Sequence, residues 1–355
     1  MSSDSYSINP VFTKKVLSWF NEFGRHDLPW QNTQDPYQIW VSEIMLQQTQ
    51  VKTVIPFYKR FMEQFPTIAS LASSDQDKVL HYWTGLGYYA RARNLHKAAQ
   101  TIMSDHNGIF PKEFVDVIQL SGIGRSTAGA ILSFAFSQQH AILDGNVKRV
   151  LSRYFGVTGW PGKRVVSDQL WRIAEDHTPK KHIAKYTQAI MDFGAILCSR
   201  SKPQCCICPL AKSCIAFNTK EIENFPGKKP KKALPTKTTT MLLIKNEQSA
   251  FFLIQRPPTG IWGGLWSFPE LSGNLDSSTK GDVLKFAGAD VTVKKVGTPF
   301  THTFSHFHLE ITPIFAAFKS SCNDAISETT TIWYDPKKPL QIGLAAPIKK
   351  LLQLL

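Results

Sequence analysis

The sequence predicts a multidomain protein in which an all-α domain is followed by a small α+β domain. Apolar residues recur at helical spacing from residue 10 to about residue 195, whereas beyond residue 238 they form the short alternating or apolar runs typical of strands. A stretch rich in proline and lysine, residues 226–237, separates the two patterns. Because such a stretch cannot bury a core, we expect it to be a basic linker between domains at 1–225 and 238–355.

Four segments of the first domain are predicted to be helices. Their apolar positions follow the helical repeat in 11–23, 51–65 and 88–103. Asp35 and Pro36 are typical of an N-cap and a first helical residue, so they are expected to open a helix over 37–48. In the second domain the predicted strands are 241–244, 251–255, 291–296 and 307–318.

The charge balance favours a polyanionic partner. The chain of 355 residues carries 41 lysines and arginines against 27 aspartates and glutamates, a formal charge of +14. Residues 1–9 hold no apolar signal core, and no apolar run reaches membrane-spanning length, so no membrane partner is expected. We expect a bacterial cytoplasmic protein associated with the nucleoid, or a nuclear one in a eukaryote. No oligomerisation motif is evident, and a monomer is expected.

The clearest candidate ligand set consists of four cysteines: Cys198, Cys205, Cys208 and Cys214. Four thiolates this close together are usually ligands rather than packing residues. Zinc prefers C-x2-C pairs, of which there is one here, and iron–sulfur clusters use four thiolates with more varied spacing, so the spacing leaves both open. Disulfides would need an oxidising compartment. Cys206 and Cys322 are expected to be spare thiols.

Two carboxylates are candidate catalytic groups. Glu43 lies in the middle of an apolar helix, where desolvation would raise its pKa and keep a proton available near neutrality, unless it faces solvent. Asp144 precedes a new helix, where backbone N–H groups and the helix dipole would hold it ionised, although an ordinary cap has the same sequence. A proton donor beside an ionised acid is what cleavage through an oxocarbenium-like sugar requires.

Two further patterns are typical of nucleic-acid binding, although each also fits an ordinary surface element. Gly122 and Gly124 lie between two predicted helices, over about 115–136, where backbone N–H groups can approach an anion. Residues 85–93 place aromatic side chains beside arginines, and residues 47–50 cluster amides at a helix end. Aromatic and amide side chains can fill the gap that an extruded base leaves.

Together these residues resemble the adenine DNA glycosylases of the MutY type, in the helix-hairpin-helix superfamily that includes endonuclease III. The resemblance covers nearly the whole chain, because the family's motifs occur in the family's order: Leu28-Pro29-Trp30, 42–51, GLGYYARARN, the hairpin, LDGNVKR and the four cysteines. It implies that the cysteines hold a [4Fe–4S] cluster rather than zinc. Arg200 and Lys202 beside them would then contact the DNA backbone.

The resemblance also implies the reaction. Adenine mispaired with 8-oxoguanine, or more weakly with guanine, would be flipped out of double-stranded DNA and removed. Glu43 would protonate adenine at N7, Asp144 would stabilise or covalently capture the oxocarbenium ion, and Asn146 would support this site. The substrate-binding positions of the family match Leu28, Trp30 and Gln188 in the adenine pocket, Gln48 and Tyr88 as the residues that probe and wedge the duplex, and Gly122 and Gly124 on the phosphates.

Position 126 bears on strand cleavage. In the endonuclease III branch a lysine there forms a Schiff base with the sugar, whereas the hydroxyl of Ser126 cannot form an imine. The resemblance therefore implies a monofunctional glycosylase. Ser121 stands where the family more often has proline, which could loosen the hairpin.

The second domain resembles the Nudix-like module of the same family. Residues 255–269 match the opening of a Nudix fold, and Phe304, Ser305 and His306 match the motif that reads 8-oxoguanine, although a hairpin turn also explains this triplet. Residues 271–290 lack the acidic helix with which Nudix pyrophosphatases hold magnesium, so that activity is not expected.

Three other functions are weaker alternatives. A bifunctional glycosylase and lyase for oxidised pyrimidines is opposed by Ser126 and by the extra domain. A non-catalytic iron–sulfur protein that binds DNA would need neither Glu43 nor Asp144. Nucleotide hydrolysis by the second domain is opposed by the missing acidic helix.

Overall fold

The structure is a computed structural model that describes residues 10–230, 233–271, 283–286, 289–318 and 330–353. The chain forms two compact units. The helical unit comprises Met1–Ser73 and Asn94–Lys231, and the mixed unit comprises Ser74–Arg93 and Lys232–Leu355. No helix among the described residues is long and apolar enough to cross a membrane.

Helices account for most of the first part of the chain. They are α1 (Pro10–Phe23), α2 (Pro36–Leu46), α3 (Val51–Gln64), α4 (Ile68–Ala72), α5 (Gln76–Trp83), α6 (Ala90–Asp105), α7 (Phe114–Val117), α8 (Arg125–Phe136), α9 (Gly145–Phe155), α10 (Arg164–His177), α11 (Ile183–Asp192) and α12 (Ile215–Asn218). One apolar core joins α1, α9, α10 and α11, with Phe12, Leu151, Leu170, Ile190 and Phe193 buried in it. Burial of this apolar surface is the main force that holds the helical unit together.

Helix α2 is apolar on nearly all sides and is therefore a buried helix. The side chain of Asp35 accepts a hydrogen bond from the backbone N–H of Tyr37 at 2.9 Å, and Pro36 is the first helical residue, as the sequence predicts. The helix ends at Leu46 rather than at residue 48. Gln48 has a φ of 58°, a left-handed conformation with which a right-handed helix cannot continue.

The helix–turn–helix pair predicted over about 115–136 is formed by α7 and α8. The turn between them requires glycine at position 122, where φ is 83° and a Cβ would lie 2.8 Å from Cβ of Asn94. Gly124 is the N-cap residue of α8 and has open space where a side chain would be. The first turn of α8 therefore presents its backbone N–H groups next to a position without a side chain.

The mixed unit is built on a sheet. Its strands are β1 (Thr236–Lys245), β2 (Phe251–Gln255), β3 (Trp266–Ser267), β4 (Glu270–Leu271), β5 (Val283–Phe286), β6 (Ala289–Val296), β7 (Phe300–Thr303), β8 (His308–Phe318) and β9 (Thr331–Tyr334). In the described part of the chain these nine strands follow the order β3-β2-β1-β8-β6-β5, with β4 beside β1, β7 beside β8 and β9 beside β2. β1 and β8 are parallel, and every other pair is antiparallel. Helix α13 (Ala346–Gln353) buries Ile348 and Leu351, so the predicted α+β class of the second domain is confirmed.

A segment distant in sequence completes the mixed unit. The carboxylate of Asp77 on α5 accepts hydrogen bonds from Nε2 of Gln255 and from Nε1 of Trp266, each at 3.0 Å. The hydroxyl of Tyr89 donates to the carbonyl of Leu344 at 3.0 Å. An apolar pattern shows that a face is buried but not which distant residues cover it, so the boundaries predicted from the sequence do not include this segment. Those boundaries stay a prediction, and β1 begins at Thr236, inside the predicted linker.

Candidate functional site

A cavity of about 300 Å³ opens in the helical unit beside α2. Aromatic side chains of Phe20, Trp30 and Phe134 form part of its lining. Polar groups reach it from three elements: Arg25 from the turn after α1, Glu43 from α2, and Gln188 from α11. Most of the lining residues are polar, so the cavity combines aromatic faces with many hydrogen-bonding groups. Such a combination suits a planar organic ligand that also carries polar atoms, such as a nucleobase.

Glu43 brings a carboxyl group to the cavity from an otherwise apolar helix. The residue is half-buried. Burial and, to a smaller extent, the nearby charge of Asp144 raise the pKa of Glu43 from 4.5 to about 8. Near neutral pH this carboxyl group therefore holds a proton that it can donate.

Asp144 is the N-cap residue of α9. Its Oδ1 accepts a hydrogen bond from the backbone N–H of Val147 at 2.7 Å, and its Oδ2 accepts one from Nδ2 of Asn146 at 3.1 Å. Burial raises the pKa of Asp144, whereas these hydrogen bonds and the charge of Arg149 lower it part of the way. The expected N–H groups are thus present, but burial raises the pKa of Asp144 more than these groups lower it. The charge of Asp144 contributes to the raised pKa of Glu43, so the two acids influence each other's ionisation.

Asn146 and Arg149 extend the contacts of Asp144 toward the cysteines. Oδ1 of Asn146 accepts a hydrogen bond from Nη2 of Arg149 at 2.8 Å. Arg149 also donates from Nε to the carbonyl of Cys198 at 2.8 Å and from Nη2 to the carbonyl of Gly194 at 2.6 Å. The sequence analysis missed Arg149, which lies one helical turn after Asn146 and hence on the same face of α9.

Three of the four predicted ligand cysteines, Cys198, Cys208 and Cys214, pack against the helical core. Nη1 of Arg153 donates to Sγ of Cys198 at 3.4 Å, and Sγ of Cys214 donates to the carbonyl of Arg153 at 3.4 Å. Burial and, to a smaller extent, the charges of the other three thiols raise the pKa of Cys208 to about 12, so the four thiols are close enough to interact. All four thiols are free, and Cys206 is exposed. Among the described residues, which exclude Cys322, no group of three His, Cys, Asp or Glu side chains is arranged to hold a metal ion.

The residues matched to the family's base pocket differ in position. Trp30 and Gln188 line the cavity. Leu28 is buried beside them, and its backbone N–H donates to Oε1 of Gln31 at 3.1 Å, but it is not among the lining residues. The predicted role of Leu28 in the pocket stays a prediction.

Gln48 and Tyr88 share an uncommon backbone conformation. Gln48 has a φ of 58° in the helical unit, and Tyr88 has a φ of 50° in the mixed unit. Both residues are exposed, and 50% of Tyr88 is accessible to solvent. Residues other than glycine seldom adopt this conformation, and they do so mostly at functional sites. Each turn thus holds a large polar or aromatic side chain in solvent.

Ser126 connects the helical hairpin to the acidic residue on α9. Its Oγ accepts a hydrogen bond from the backbone N–H of Leu143, the residue before Asp144, at 2.9 Å. Gly122 and Gly124 lie in the turn before it. The hairpin and Asp144 are therefore directly connected.

The triplet of Phe304, Ser305 and His306 forms the turn between β7 and β8. Phe304 stacks on Phe307, with ring centroids 4.6 Å apart, and lies 5.4 Å from the ring of Trp262. Ser305 and His306 are exposed. The hairpin-turn interpretation therefore holds for the backbone, while the exposed polar groups remain available for recognition. Most of 271–290, the stretch without an acidic helix in the sequence, lies outside the described residues.

A buried ion pair beside the cavity was not predicted. The side chain of Asp192 is fully buried and pairs with Arg25. Gln188 donates to the same carboxylate. The signal that could have revealed Asp192 is the one that identified Glu43, a charged residue within an apolar helical run.

Comparisons with known proteins agree with this architecture. Residues 41–176 match the HhH-GPD superfamily of base excision DNA repair proteins, and residues 240–354 match the NUDIX domain family. The adenine DNA glycosylase of Buchnera aphidicola subsp. Acyrthosiphon pisum (strain APS) is 43% identical over 343 residues, which cover 97% of each chain.

Two solved structures resemble the helical part. A thermostable thymine-DNA glycosylase is 29% identical with a TM-score of 0.55, and the match covers 59% of this chain and 96% of that one. A non-covalent endonuclease III–DNA complex is 22% identical with a TM-score of 0.51, and covers 59% of this chain and 94% of that one. The second likeness shows the fold alone.

Proposed function

Because the chain belongs to the adenine DNA glycosylase family, it is an enzyme of base-excision DNA repair, and we propose that it hydrolyses the N-glycosidic bond of adenine mispaired with 8-oxoguanine or guanine in duplex DNA. One observation carries this proposal. Glu43, whose pKa is raised to about 8, lines a cavity and is influenced by the charge of Asp144. Such a cleavage needs a proton donor beside an ionised acid, and we assign these two roles to Glu43 and Asp144.

Glu43 is the proposed general acid. The adenine base, flipped out of the duplex, enters the cavity, where Trp30 offers an aromatic face. Protonation of adenine at N7 by Glu43 turns the base into a better leaving group, so the bond from N9 to C1′ of the sugar breaks with both electrons going to the base. Burial supports this role because it keeps the proton on Glu43 at neutral pH.

Asp144 is the proposed partner of the cationic sugar. Loss of adenine leaves positive charge on C1′ and on the ring oxygen, which a carboxylate stabilises directly or by forming a bond to C1′. Water then adds at C1′, loses a proton, and completes the hydrolysis. Hydrogen bonds from Val147 and Asn146 hold the Asp144 carboxylate in place.

Contacts to duplex DNA are proposed for both units. The formal charge of +14 favours binding to the phosphate backbone, and the N–H groups near Gly122 and Gly124 suit a phosphate. Gln48 and Tyr88, exposed on their turns, are the proposed residues that fill the gap left by the extruded base. We further propose that the protein acts as a monomer in the bacterial cytoplasm, or in the nucleus of a eukaryote.

Reading of 8-oxoguanine is assigned to Phe304, Ser305 and His306. The exposed Ser305 and His306 side chains support this assignment, because hydroxyl and imidazole groups can bond the edge of an oxidised base. Replacing both Ser305 and His306 by alanine should reduce the preference for adenine opposite 8-oxoguanine over adenine opposite guanine, with little change in affinity for undamaged duplex. Equal losses on all duplexes would contradict the assignment.

A [4Fe–4S] cluster is the proposed ligand of Cys198, Cys205, Cys208 and Cys214. The chemistry of the donor set fits, because all four thiols are free, and Arg153 forms hydrogen bonds with two of these cysteines. A bound cluster would tie the loop 198–214 together, and it would take no part in base removal. Purified protein should be yellow-brown and absorb visible blue light. Colourless protein that gains no such absorbance from anaerobic iron and sulfide would contradict the proposal.

The reaction is tested with a labelled duplex that contains adenine opposite 8-oxoguanine. Excess enzyme acts on the duplex, and half of the product is treated with alkali before denaturing electrophoresis. We expect cleaved strand mainly after alkali, since Ser126 cannot form a Schiff base. No product in either lane, from protein that binds the duplex, would contradict the proposed function.

A further inference from the structure

We propose that Asp192 fixes the orientation of the Gln188 side-chain amide, so that the cavity presents a hydrogen-bond acceptor and rejects purines with an oxygen at C6. The proposal rests on the proposed function in one respect, that this cavity receives the base. It assigns Asp192 as a positioning residue for substrate specificity. Asp192 itself is not among the residues that line the cavity.

The first step is the setting of Asp192. Its side chain is fully buried at the C-terminal end of α11. Oδ2 accepts a hydrogen bond from the backbone N–H of Arg25 at 2.8 Å. Oδ1 accepts two from the guanidinium of Arg25, one from Nε at 3.0 Å and one from Nη2. Backbone N–H and guanidinium groups can only donate, so both Asp192 oxygens act as acceptors.

The second step is the orientation of Gln188. Gln188 lies one turn before Asp192 on the same face of α11. Its Nε2 is 2.8 Å from Oδ1 of Asp192. The oxygen and nitrogen of a side-chain amide have nearly the same shape, so the hydrogen-bond partner decides between them. With an acceptor as partner, the amide must turn its N–H group toward Asp192.

The third step concerns the oxygen of the Gln188 amide, which is left to bind the ligand. Gln188 lines the cavity, and no hydrogen bond to its Oε1 occurs within the described parts of the chain. This oxygen can accept a hydrogen bond from the exocyclic N6 amine of adenine. Guanine and hypoxanthine carry an oxygen at C6, which would meet the amide oxygen without a proton between them. Gln188 is buried, where such an unpaired contact is costly.

The test compares adenine with hypoxanthine, which differ in the group at C6. Wild-type and Asp192→Ala proteins act on duplexes with either base opposite 8-oxoguanine, and base removal is measured under single-turnover conditions. Alanine removes Oδ1, the oxygen that accepts from both Arg25 and Gln188. The Gln188 amide is then no longer held in one orientation and can offer an N–H to the cavity as well as its oxygen. We expect the ratio of adenine to hypoxanthine removal to fall about tenfold or more relative to wild type.

A double variant separates orientation from folding. Asp192→Ala combined with Gln188→Glu places an acceptor-only carboxylate at position 188, which offers an oxygen to the cavity whichever way it turns. The ratio should return toward the wild-type value, which a general loss of structure could not produce. Asp176→Asn, an exposed aspartate on the preceding helix, is the matched control and should leave the ratio unchanged.

Each outcome decides the proposal. A folded Asp192→Ala protein with the wild-type ratio, or a double variant that recovers nothing, would overturn it. If Asp192→Ala does not fold, Gln188→Met removes the acceptor directly. Adenine removal should then fall more than hypoxanthine removal, and equal losses would overturn the proposal. Wild-type protein that removes neither base would contradict the proposed function itself, and this proposal falls with it.

Discussion

The hydroxyl of Ser126 accepts a hydrogen bond from the backbone N–H of Leu143 at 2.9 Å, which joins the first turn of α8 to the residue before Asp144. The hydroxyl thus has a structural partner, and this partner is the residue next to a candidate catalytic acid. An amine at position 126 would lie near the same acid. We therefore expect the residue at position 126 to decide whether the strand is cleaved after base removal.

Ser126→Lys should gain strand cleavage. The new amine can attack C1′ of the abasic sugar, form an imine with loss of water, and so permit β-elimination. Borohydride should trap this imine as a covalent protein–DNA adduct, visible as a slowly migrating band. Ser126→Ala is the control: it loses the bond to Leu143, at a cost of about 1 kcal/mol in the free energy of unfolding, and should give no adduct. Absence of a trapped species with the lysine variant would contradict this account.

Base removal should decline as the pH rises through about 8. The pKa of Glu43 is raised to about 8, so its proton is present below that pH and is lost above it. Single-turnover rates between about pH 6 and pH 9, measured with enzyme in excess over the duplex, test this fall in rate. A rate that rises or stays level across this range would argue against Glu43 as the proton donor.

Asn146→Ala should slow base removal most at low pH. The hydrogen bond from Nδ2 of Asn146 lowers the pKa of Asp144, so its loss raises that pKa and leaves less of the carboxylate ionised in acid. We expect about a tenfold loss of rate on the acidic side, the size of one hydrogen bond to a charged group. Asn224→Ala, an exposed asparagine, is the control. The same fractional loss at every pH would show that Asn146 acts in another way.

Asp77→Ala should destabilise the mixed unit. The substitution leaves two donors, Nε2 of Gln255 and Nε1 of Trp266, without their acceptor, which should cost about 2 kcal/mol in the free energy of unfolding. Urea unfolding of the full chain measures this loss. Asp75→Ala is the control, because Asp75 is exposed and its side chain makes no cap hydrogen bond. Equal effects of the two substitutions would contradict the assigned role of Asp77.

Local signals in the sequence predict the local structure well. Asp35 and Pro36 predict the start of α2 because cap chemistry depends on neighbouring residues only. The short apolar run FFLIQ predicts β2 with its observed ends, Phe251 and Gln255. Glycine at position 122 predicts the turn of the hairpin, since its φ of 83° is difficult for other residues.

Contacts between distant residues are what the sequence does not show. Asp192 contacts Arg25, and Arg149 contacts Cys198, yet nothing near these residues in the chain indicates their partners. The packing of α5 against the strands could not be predicted for the same reason, because an apolar face does not show which distant residues cover it. The candidate acids could be recognised one by one, whereas the network that holds them depends on the fold.

The most direct test of the central claim is base release by wild-type and Glu43→Gln protein on a duplex with adenine opposite 8-oxoguanine. The freed base is identified by mass spectrometry, and binding of the same duplex is measured in parallel. The amide cannot donate the carboxyl proton, so wild-type protein should release adenine, while the variant binds the duplex and releases none. Release of adenine by Glu43→Gln at the wild-type rate would contradict the assignment of Glu43 as the general acid.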